Sequence, residues 1–537
     1  MMSDQREGFE RHARTVTVFT VISRIGGLAR DATLSRVFGS GPVMDSFWFG
    51  FMVPNLFRRL FGEGALSASF LPVFVRELEN DPATAHQIAR LVIGRAMLLL
   101  SLLVLVFEGI LLAGVFQGEL SRGAWLLAIM LPYAPLICLV ALIGAMLHAY
   151  GRFGPTAIAP IILNGMLVLC SLILFPLVTA GSLTIDGQIT WVAVSVLVAG
   201  FIQVAWSFLA LKKASRIKGK SDLKRAKKLT HSILMQSLPM AIGLGALQLN
   251  TLIDGLIASW PTFVGPTIPF LNIAYPLPEG SMASLSFAHR LYEFPLGVFG
   301  IAIATAIFPE LSRHHGTQDA FIRTLRRGIR LTLFLGVPAT IGLVLVRDPL
   351  TAVILQGVNF TVDDTRRVSF ILLGFAPAIW AYCLNHVYIR AFYARGEAMT
   401  PVKVAIAMAG LNLVLNLLLI WTPLQVAGLA WSTAVCAVLQ AIILHHILNK
   451  RISGILNRSI LDAVVRILLV SVLTGIAAFV ASSLLDPGSQ LDDWSYQLIS
   501  LLVIVFTGVI AALATSKALG MPELSWFLGR QVPSSQE

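Results

Sequence analysis

The feature that most constrains the fold of this chain is a succession of apolar runs that recur through its 537 residues. Each run is about 20 or more residues long, which is the length that an α-helix needs to cross the hydrocarbon core of a bilayer. Charged residues make up only 13% of the chain, about half the fraction found in soluble domains. Strands of a membrane β-barrel would alternate polar and apolar residues, so the continuous runs predict an all-α polytopic membrane protein.

The runs predict fourteen transmembrane helices, arranged as two six-helix lobes around a central cavity plus two extra C-terminal helices. The predicted spans are 15–38, 45–77, 89–116, 123–150, 155–179, 189–211, 231–259, 283–312, 328–346, 367–394, 401–421, 425–449, 460–485 and 496–518. The second span is too long for one straight crossing, and Pro54, Gly62, Gly64 and Pro72 within it predict a bend or a cytoplasmic extension.

An even number of spans places both termini on the same side of the membrane. The connection 212–228 carries nine Lys or Arg residues against a single acid, Asp222. Cytoplasmic loops of membrane proteins are enriched in Lys and Arg. The sequence therefore predicts that both termini are cytoplasmic, and this bias accounts for most of the formal net charge of +12.

Two sequence echoes indicate an internal duplication. Pro54 and Pro295 lie in similar contexts 241 residues apart (295 − 54), and Arg152 and Arg395 lie 243 apart (395 − 152). With six spans in each copy, the repeats have the same orientation, and the substrate site is expected between them near the midplane. The predicted parts are an N-terminal lobe (1–211), a basic cytoplasmic connector (212–230), a C-terminal lobe (231–450), and two extra helices with a tail (451–537).

Three arginines interrupt predicted spans, namely Arg24, Arg58 and Arg290. A guanidinium in hydrocarbon is costly and keeps its proton, so it is tolerated where it faces water or an anion. Helical rise puts the three about 15, 20 and 10 Å into their spans. They predict a cationic chamber suited to a phosphate or pyrophosphate. Arg59 is expected to pair with Glu63, one turn further along, and to be structural.

Two of the cations have local acids that offer another explanation. Arg30 is followed directly by Asp31, and Arg290 precedes Glu293 by three residues. Either pair can be a local ion pair, and Arg36 can reach the interface with its long side chain. The sequence therefore leaves two roles open for Arg30: a structural ion pair with Asp31, or a contribution to neutralising the substrate.

The remaining polar residues within spans allow a gate and an ion site. Asp45 either caps a helix or closes the outer mouth by pairing with a cation. Asp254, Asn412, Asn416 and Thr433 supply the oxygen ligands that a small hard cation such as Na⁺ prefers, or a proton relay. The alternative is that they form hydrogen bonds between helices.

The sequence contains no motif that indicates catalysis of a covalent reaction. It contains no phosphate-binding glycine loop, no paired catalytic carboxylates and no nucleophile motif, so it predicts a transporter and not an enzyme. No metal site is assigned, no cofactor is expected, and no motif supports nucleic-acid binding. The cysteines lie in apolar segments and are interpreted as buried thiols; they are Cys138, Cys170, Cys383 and Cys436.

Several stretches resemble one known family. The stretches are SRIGGLARDA (23–32), RVFG (36–39), DSF (45–47), PNLFRRLFGEGA (54–65), FLP (70–72), RLYEFPLG (290–297) and TPVK (400–403). They are similar to the MurJ (MviN) family of lipid II flippases, in the multidrug/oligosaccharidyl-lipid/polysaccharide exporter superfamily. The resemblance covers essentially the whole chain. The long loop 260–282 departs from the family pattern.

The resemblance implies a function and assigns roles. Such a protein flips lipid II, the lipid-linked peptidoglycan precursor, from the cytoplasmic to the periplasmic leaflet of the bacterial inner membrane. The family's important arginines match Arg24, Arg30, Arg58 and Arg290, and its important acid matches Asp45. The extra helices would hold the polyprenyl tail. Membrane lipids and cell-wall synthesis proteins are further expected partners.

The expected mechanism is alternating access, with the arginines binding the diphosphate and the lobes rocking about the midplane. The empty carrier is reset either by membrane potential, worth about 2.3 kcal/mol per charge per 100 mV, or by Na⁺ or H⁺. The alternative is a related exporter of another polyprenyl-linked oligosaccharide, or of drugs by ion antiport. Cationic drugs would favour an acidic cavity, whereas these residues predict a basic one.

Overall fold

The computed structural model describes residues 2–62, 65–116, 121–215, 221–269, 271–297, 300, 302–314, 316–452 and 454–528. The chain forms two compact units. The first consists of Met1–Ala283 with Gly357–Asn359, and the second of Ser284–Gln356 with Phe360–Glu537. The two units divide after residue 283, whereas the sequence predicted lobes that meet at the connector 212–230. The lobe boundaries stay a prediction.

In its described residues, the first unit consists of helices, their connections and one short hairpin. Its helices are α1 (Met2–Phe38), α2 (Pro42–Phe57), α3 (Ala65–Asn80), α4 (Pro82–Phe116), α5 (Arg122–Met130), α6 (Tyr133–Ala149), α7 (Gly154–Thr179), α8 (Ile185–Ala214) and α9 (Leu223–Phe263). The hairpin pairs β1 (Thr267–Ile268) with β2 (Ile273–Ala274), with Thr267 opposite Ala274.

The described residues of the second unit form helices joined by connections without strands. Its helices are α10 (Ser281–Leu296, which begins in the first unit), α11 (Ala302–Arg313), α12 (Gln318–Leu355), α13 (Val362–Phe375), α14 (Ala378–Ala394), α15 (Met399–Leu419), α16 (Val426–Arg451), α17 (Arg458–Leu485), α18 (Trp494–Ala518) and α19 (Pro522–Phe527). A short 3₁₀ turn, Pro487–Gln490, lies between α17 and α18.

The described residues contain nine helices that are long and apolar enough to cross a membrane, and the pair α13 and α14, bent by 41°, makes ten. The other four predicted spans fall on α1, on α2 with α3, on α9, and on α10 with α11. These four helical regions carry the charged residues singled out above, namely Arg24, Asp45, Arg58, Asp254 and Arg290. The chain is a multi-pass membrane protein, and the count of fourteen stays a prediction.

The same helix contacts recur in the two units. In the first, α3, α4 and α6 contact one another, and α8 packs on α5, α6 and α7. In the second, α11, α12 and α14 contact one another, and α16 packs on α13, α14 and α15. The buried clusters have corresponding members, such as Phe70 and Ile88 in the first and Leu311 and Ile329 in the second. This repetition supports the duplication predicted from the two echoes.

The extra helices α17 and α18 pack on each other and on α12. The core that they share with α12 includes Phe334, Ile467 and Ile504. The counterpart of α12 in the first unit, α4, has a row of exposed apolar side chains, including Leu98 and Leu105. The two C-terminal helices therefore cover a face of α12 that α4 leaves available to lipid.

Glycines allow close packing between helices of the first unit. A Cβ at Gly50 on α2 would lie 2.9 Å from the backbone nitrogen of Leu127 on α5. A Cβ at Gly200 on α8 would lie 2.7 Å from the ring of Tyr133 on α6. Because lipid is as apolar as a leucine side chain, helices in a membrane associate through such close contacts and through hydrogen bonds.

The second predicted span contains a π-helical turn, Arg58–Gly62, between α2 and α3. The bend or cytoplasmic extension stays a prediction. Proline has no N–H and clashes with the preceding turn of its helix. Pro54 therefore weakens the regular hydrogen bonding of α2 just before the π-helical turn begins. In the second unit, Gly297 and Gly300 also have π-helical geometry, shortly after Pro295. The duplicated proline is thus followed by a similar distortion in both units.

Candidate functional site

Arg30 is neutralised within its own helix. Its Nε and Nη2 donate to Oδ1 of Asp31 at 2.8 and 2.6 Å, and its Nη1 donates to Asn164 Oδ1 at 3.2 Å. The guanidinium also lies 5.5 Å from the ring of Trp48 on α2. Arg30 is only 6% exposed. The local pair that the sequence allowed is therefore present, and it fixes this cation to α2 and α7.

Arg24 differs from Arg30, although both lie on α1. The helix continues without interruption through Gly26 and Gly27, so residues six apart point in different directions. Arg24 is exposed, and no residue in the described part of the chain accepts a hydrogen bond from it. Nearby, Asn164 donates to the carbonyl of Ser23 at 3.5 Å. Arg24 is thus exposed on the first unit, one residue after a partly buried contact between α1 and α7.

Arg58 begins the π-helical turn. Its Nε and Nη2 both donate to Asn55 Oδ1, at 3.1 and 3.0 Å, so these bonds orient the cation through a neutral amide. The neighbouring Arg59 donates to Gln248 Oε1 on α9 at 3.0 Å. The predicted partner of Arg59, Glu63, lies outside the described residues. The turn therefore directs consecutive guanidiniums to different partners.

Asp45 is fully buried and joins three parts of the first unit. Its Oδ2 accepts from the hydroxyl of Thr262 at 3.0 Å and from the backbone N–H of Gly280 at 2.6 Å. Its Oδ1 accepts from the N–H of Ala283 at 2.7 Å. Gly280 directly precedes α10 and Ala283 lies in its first turn, so the carboxylate on α2 supplies the N-terminal cap of another helix. This arrangement fastens both ends of the 260–282 loop.

Arg290, on α10 in the second unit, has a carboxylate partner. Its Nη1 donates to Glu293 Oε2 at 2.9 Å, and its side chain is 43% exposed. Glu293 also lies 3.6 Å from Nδ1 of His289. The local pair allowed by the sequence is therefore present here too. An exposed ion pair of this kind contributes little to stability.

The polar residues of α15 and α16 form one buried network in the second unit. Asn416 Nδ2 donates to Asn412 Oδ1 at 2.9 Å, and Asn412 Nδ2 reaches Ser432 and Thr433 at 3.1 and 3.5 Å. Ser432 in turn donates to Asn416 Oδ1. The structure thus brings together three of the four predicted ion-site residues. The fourth, Asp254, lies on α9 in the first unit.

The network satisfies its own amide and hydroxyl groups, as hydrogen bonding between helices would require. Within the described residues, no group of three or more His, Cys, Asp and Glu side chains could hold a metal ion. The geometry of α15 and α16 therefore favours an interhelical contact over a preformed cation site.

Residues 34–513 match the family model described as "Lipid II flippase MurJ". The chain belongs to the MurJ family. A relative described as "Probable lipid II flippase MurJ" from Vibrio cholerae is 31% identical over 529 residues, covering 94% of this chain and 95% of the relative. Membership of the family rests on a match over nearly the full length of the chain.

Two solved structures share the fold. One, described as lipid II flippase MurJ in an inward closed conformation, has a TM-score of 0.71 at 21% identity and covers 94% of this chain and 99% of that chain. The other, an inward-facing multidrug resistance MATE family transporter of the MOP superfamily, has a TM-score of 0.62 at 13% identity, with coverage of 82% and 98%. At these identities the likenesses show the fold alone.

Reasoning from the sequence missed three residues that organise this MurJ-family site, namely Asn164, Trp48 and Thr262. Asn164 gave a signal, because it is an isolated amide in an otherwise apolar span, and such a residue is expected to bond across helices. Trp48 and Thr262 gave no signal, since nothing in the sequence indicates that they contact Arg30 and Asp45.

Proposed function

We propose that this chain moves lipid II across the bacterial inner membrane, from the cytoplasmic to the periplasmic leaflet, by alternating access. Membership of the MurJ family over residues 34–513 supports the substrate. Both termini are placed in the cytoplasm, because the basic connector 212–228 follows the positive-inside rule.

One observation carries the chemistry of the proposal, namely the exposed guanidinium of Arg24, for which no described residue acts as acceptor. A permanently charged group within a membrane helix requires an anion or water. A diphosphate offers several charged oxygens in the geometry that a guanidinium binds with two parallel bonds. Arg24 is the primary ligand in this proposal, and Arg58, oriented by Asn55, is the second.

Arg30 and Arg290 act differently from these two. The buried Arg30 holds the shape of the site through Asp31, Asn164 and Trp48, and reaches the substrate only weakly. The exposed Arg290 exchanges its carboxylate partner for the diphosphate when the substrate arrives. The isoprenoid tail stays in lipid along α17 and α18, the helices that lie outside the repeat.

The reset of the empty carrier draws on membrane potential. Arg24 carries a positive charge within a membrane helix, and moving one such charge through the potential is worth about 2.3 kcal/mol per 100 mV. Binding of a diphosphate cancels this charge, so the potential acts differently on the loaded and the empty protein. Coupling to Na⁺ or H⁺ through Asp254 or the α15–α16 network is the competing proposal.

The decisive test is replacement of the resident flippase in a bacterium by this chain. We expect the wild type to support growth and to maintain the fraction of lipid II that is accessible from outside the inner membrane. Arg24→Ala should lose both at equal expression, with a loss of diphosphate binding of about 100-fold. Arg95→Ala, which removes another exposed arginine on α4, is the matched control and should behave as the wild type.

Retention of full lipid II accessibility by Arg24→Ala would refute the assignment of the primary ligand. Failure of the wild type to move lipid II after reconstitution into vesicles of defined lipid would refute the function itself.

A further inference from the structure

A basic cavity of about 200 Å³ lies in the second unit, between the first turns of α12, the start of α17 and the short helix α19. Four arginines line it, and all are on α12: Arg323, Arg326, Arg327 and Arg330. Their spacing of three, four and seven residues places them on one face of the helix. None of them belongs to the transport site proposed above.

Two of these arginines form the fixed wall of the cavity. Arg330 donates through Nε to Oε1 of Glu523 at 2.6 Å, and the two side chains are 11% and 1% exposed. Arg326 donates through Nε to the carbonyl of Ile455 at 3.1 Å and through Nη2 to that of Gly454. These bonds fix both arginines to the protein, and they tie α12 to α19 and to the connection that precedes α17.

The other two arginines are the available donors. Arg323 and Arg327 form no hydrogen bond with any residue in the described part of the chain. The guanidinium of Arg327 lies 5.1 Å from the ring of Trp526, and that of Arg330 lies 4.9 Å from it. The aromatic ring therefore fixes the plane of Arg327 without occupying its N–H groups.

The charge of the cavity calls for an anion. Its lining contains the four arginines and one acid, Glu310. Glu523 does not line the cavity but pairs with Arg330, so a net charge of +2 remains when both acids are counted (4 − 2). Like charges three and four residues apart on a helix repel each other and reduce its stability. One doubly charged anion between Arg323 and Arg327 would remove this repulsion and satisfy the available donors.

The size of the cavity limits the anion. Pockets that enclose a drug-sized ligand have volumes of roughly 300–1,000 Å³, and this one is smaller. A single phosphate group fits such a space, whereas a disaccharide-peptide headgroup does not. We propose that the cavity is a binding site for one phosphate group, held by Arg323 and Arg327 with Ser459 at the start of α17.

The surroundings of the cavity indicate how a phosphate would arrive. Leu456 and Leu461, on either side of the start of α17, are 51% and 57% exposed, and Phe527 on α19 is 54% exposed. Apolar side chains beside a tryptophan and a cluster of arginines are typical of a helix end at the membrane interface. The phosphate is therefore either the headgroup of an anionic lipid or free inorganic phosphate.

The test compares ligands on the full-length protein purified in detergent. Binding of phosphatidylglycerol, phosphatidylcholine and inorganic phosphate is measured by native mass spectrometry and by the shift in melting temperature. Arg323→Gln/Arg327→Gln removes the available donors and leaves the pair Arg330–Glu523 intact. Arg90→Gln/Arg95→Gln, which removes two exposed arginines of α4, is the matched control.

We expect the first double variant to bind phosphatidylglycerol about 30-fold more weakly, since each arginine near an anionic group contributes roughly a factor of five. The control should bind as the wild type does.

Preference for phosphatidylglycerol over phosphatidylcholine identifies a lipid headgroup as the ligand, and saturable stabilisation by inorganic phosphate alone identifies a soluble source. Equal binding by the wild type and Arg323→Gln/Arg327→Gln, or an equal loss in the control, overturns the proposal. The melting temperature without ligand separates misfolding from loss of the site, and neither readout depends on lipid II transport.

Discussion

The carboxylate of Asp45 on α2 accepts a hydrogen bond from the backbone N–H of Gly280, 235 residues further along the chain. With the bonds from Ala283 and Thr262, this contact makes Asp45 the anchor of the long 260–282 loop. The sequence left Asp45 as either a cap for its own helix or a gate. The structure shows a cap, but for the first turn of α10, and a gating role stays a prediction.

Removal of this anchor should loosen the loop. We expect Asp45→Ala to lower the free energy of unfolding by about 3–5 kcal/mol, because three donors lose a buried charged acceptor. Differential scanning fluorimetry in detergent would show the loss. Limited proteolysis should cut faster within 260–282.

The control for the anchor is Asp186→Ala. Asp186 pairs with Arg122 at the surface, where both side chains are about half exposed. Such a pair is worth about 0–1 kcal/mol. An Asp45→Ala protein as stable as this control would contradict the anchoring role.

The buried pair Arg30–Asp31 should show strong coupling. Arg30→Met leaves Asp31, which is 1% exposed, without its cation and should cost about 3–5 kcal/mol. Adding Asp31→Asn to that variant removes the unpaired charge and should restore most of the stability. Chemical denaturation of the four proteins in the double-mutant cycle gives the coupling energy. Additive losses in the cycle would mean that the two residues do not depend on each other.

The network of α15 and α16 should contribute stability that does not depend on sodium. Asn416→Ala removes bonds to Asn412 and Ser432 and should cost about 0.5–2 kcal/mol, the range for polar contacts between membrane helices. We expect the same melting temperature for the wild type in sodium chloride and in choline chloride. A sodium-specific increase that Asn416→Ala abolishes would instead establish the ion site.

Tyr275 gives a prediction for alkaline pH. Its hydroxyl donates to the carbonyl of Ile257 at 2.9 Å, its ring stacks on Trp260, and burial raises its pKa to about 12. Because the folded state holds this proton more tightly than the unfolded state, whose pKa is about 10, the stabilisation is complete below pH 10. It is lost as the pH rises from about 10 to about 12.

Tyr275→Phe separates this group from the other tyrosines. We expect a cost of about 1 kcal/mol at neutral pH for the lost hydrogen bond. The difference in stability between Tyr275→Phe and the wild type should shrink above pH 10, as measured by melting temperature over a pH series. A difference that stays constant to pH 12 would show that the phenol is not protected.

Much of the architecture follows from the sequence, because membrane insertion imposes local rules. Backbone groups in lipid must bond within their own helix, so a continuous apolar run such as 155–179 specifies a helix without reference to the rest of the chain, and the structure has α7 at Gly154–Thr179. Pro54 predicted an irregular helix for a similarly local reason, and the π-helical turn Arg58–Gly62 follows it. The family also was evident from linear motifs such as SRIGGLARDA.

The environment of each charged residue depended on local sequence spacing and on tertiary packing. Local spacing allowed the pairs Arg30–Asp31 and Arg290–Glu293, and both are present. Spacing alone could not show that Arg30 is buried against Trp48 whereas Arg24, on the same helix, is exposed. That difference depends on which face of α1 packs against its neighbours.

The sequence by itself determined the elements of this protein, namely helices long enough for a bilayer, the duplication, and the residues whose charge needs an explanation. Tertiary structure alone decided what those charged residues touch, such as Gly280 for Asp45 and Asn164 for Arg30, because their partners lie more than a hundred residues away. A helix in lipid is specified by its own composition, whereas a hydrogen bond between helices is specified by how their surfaces fit, and no single stretch of sequence contains that fit.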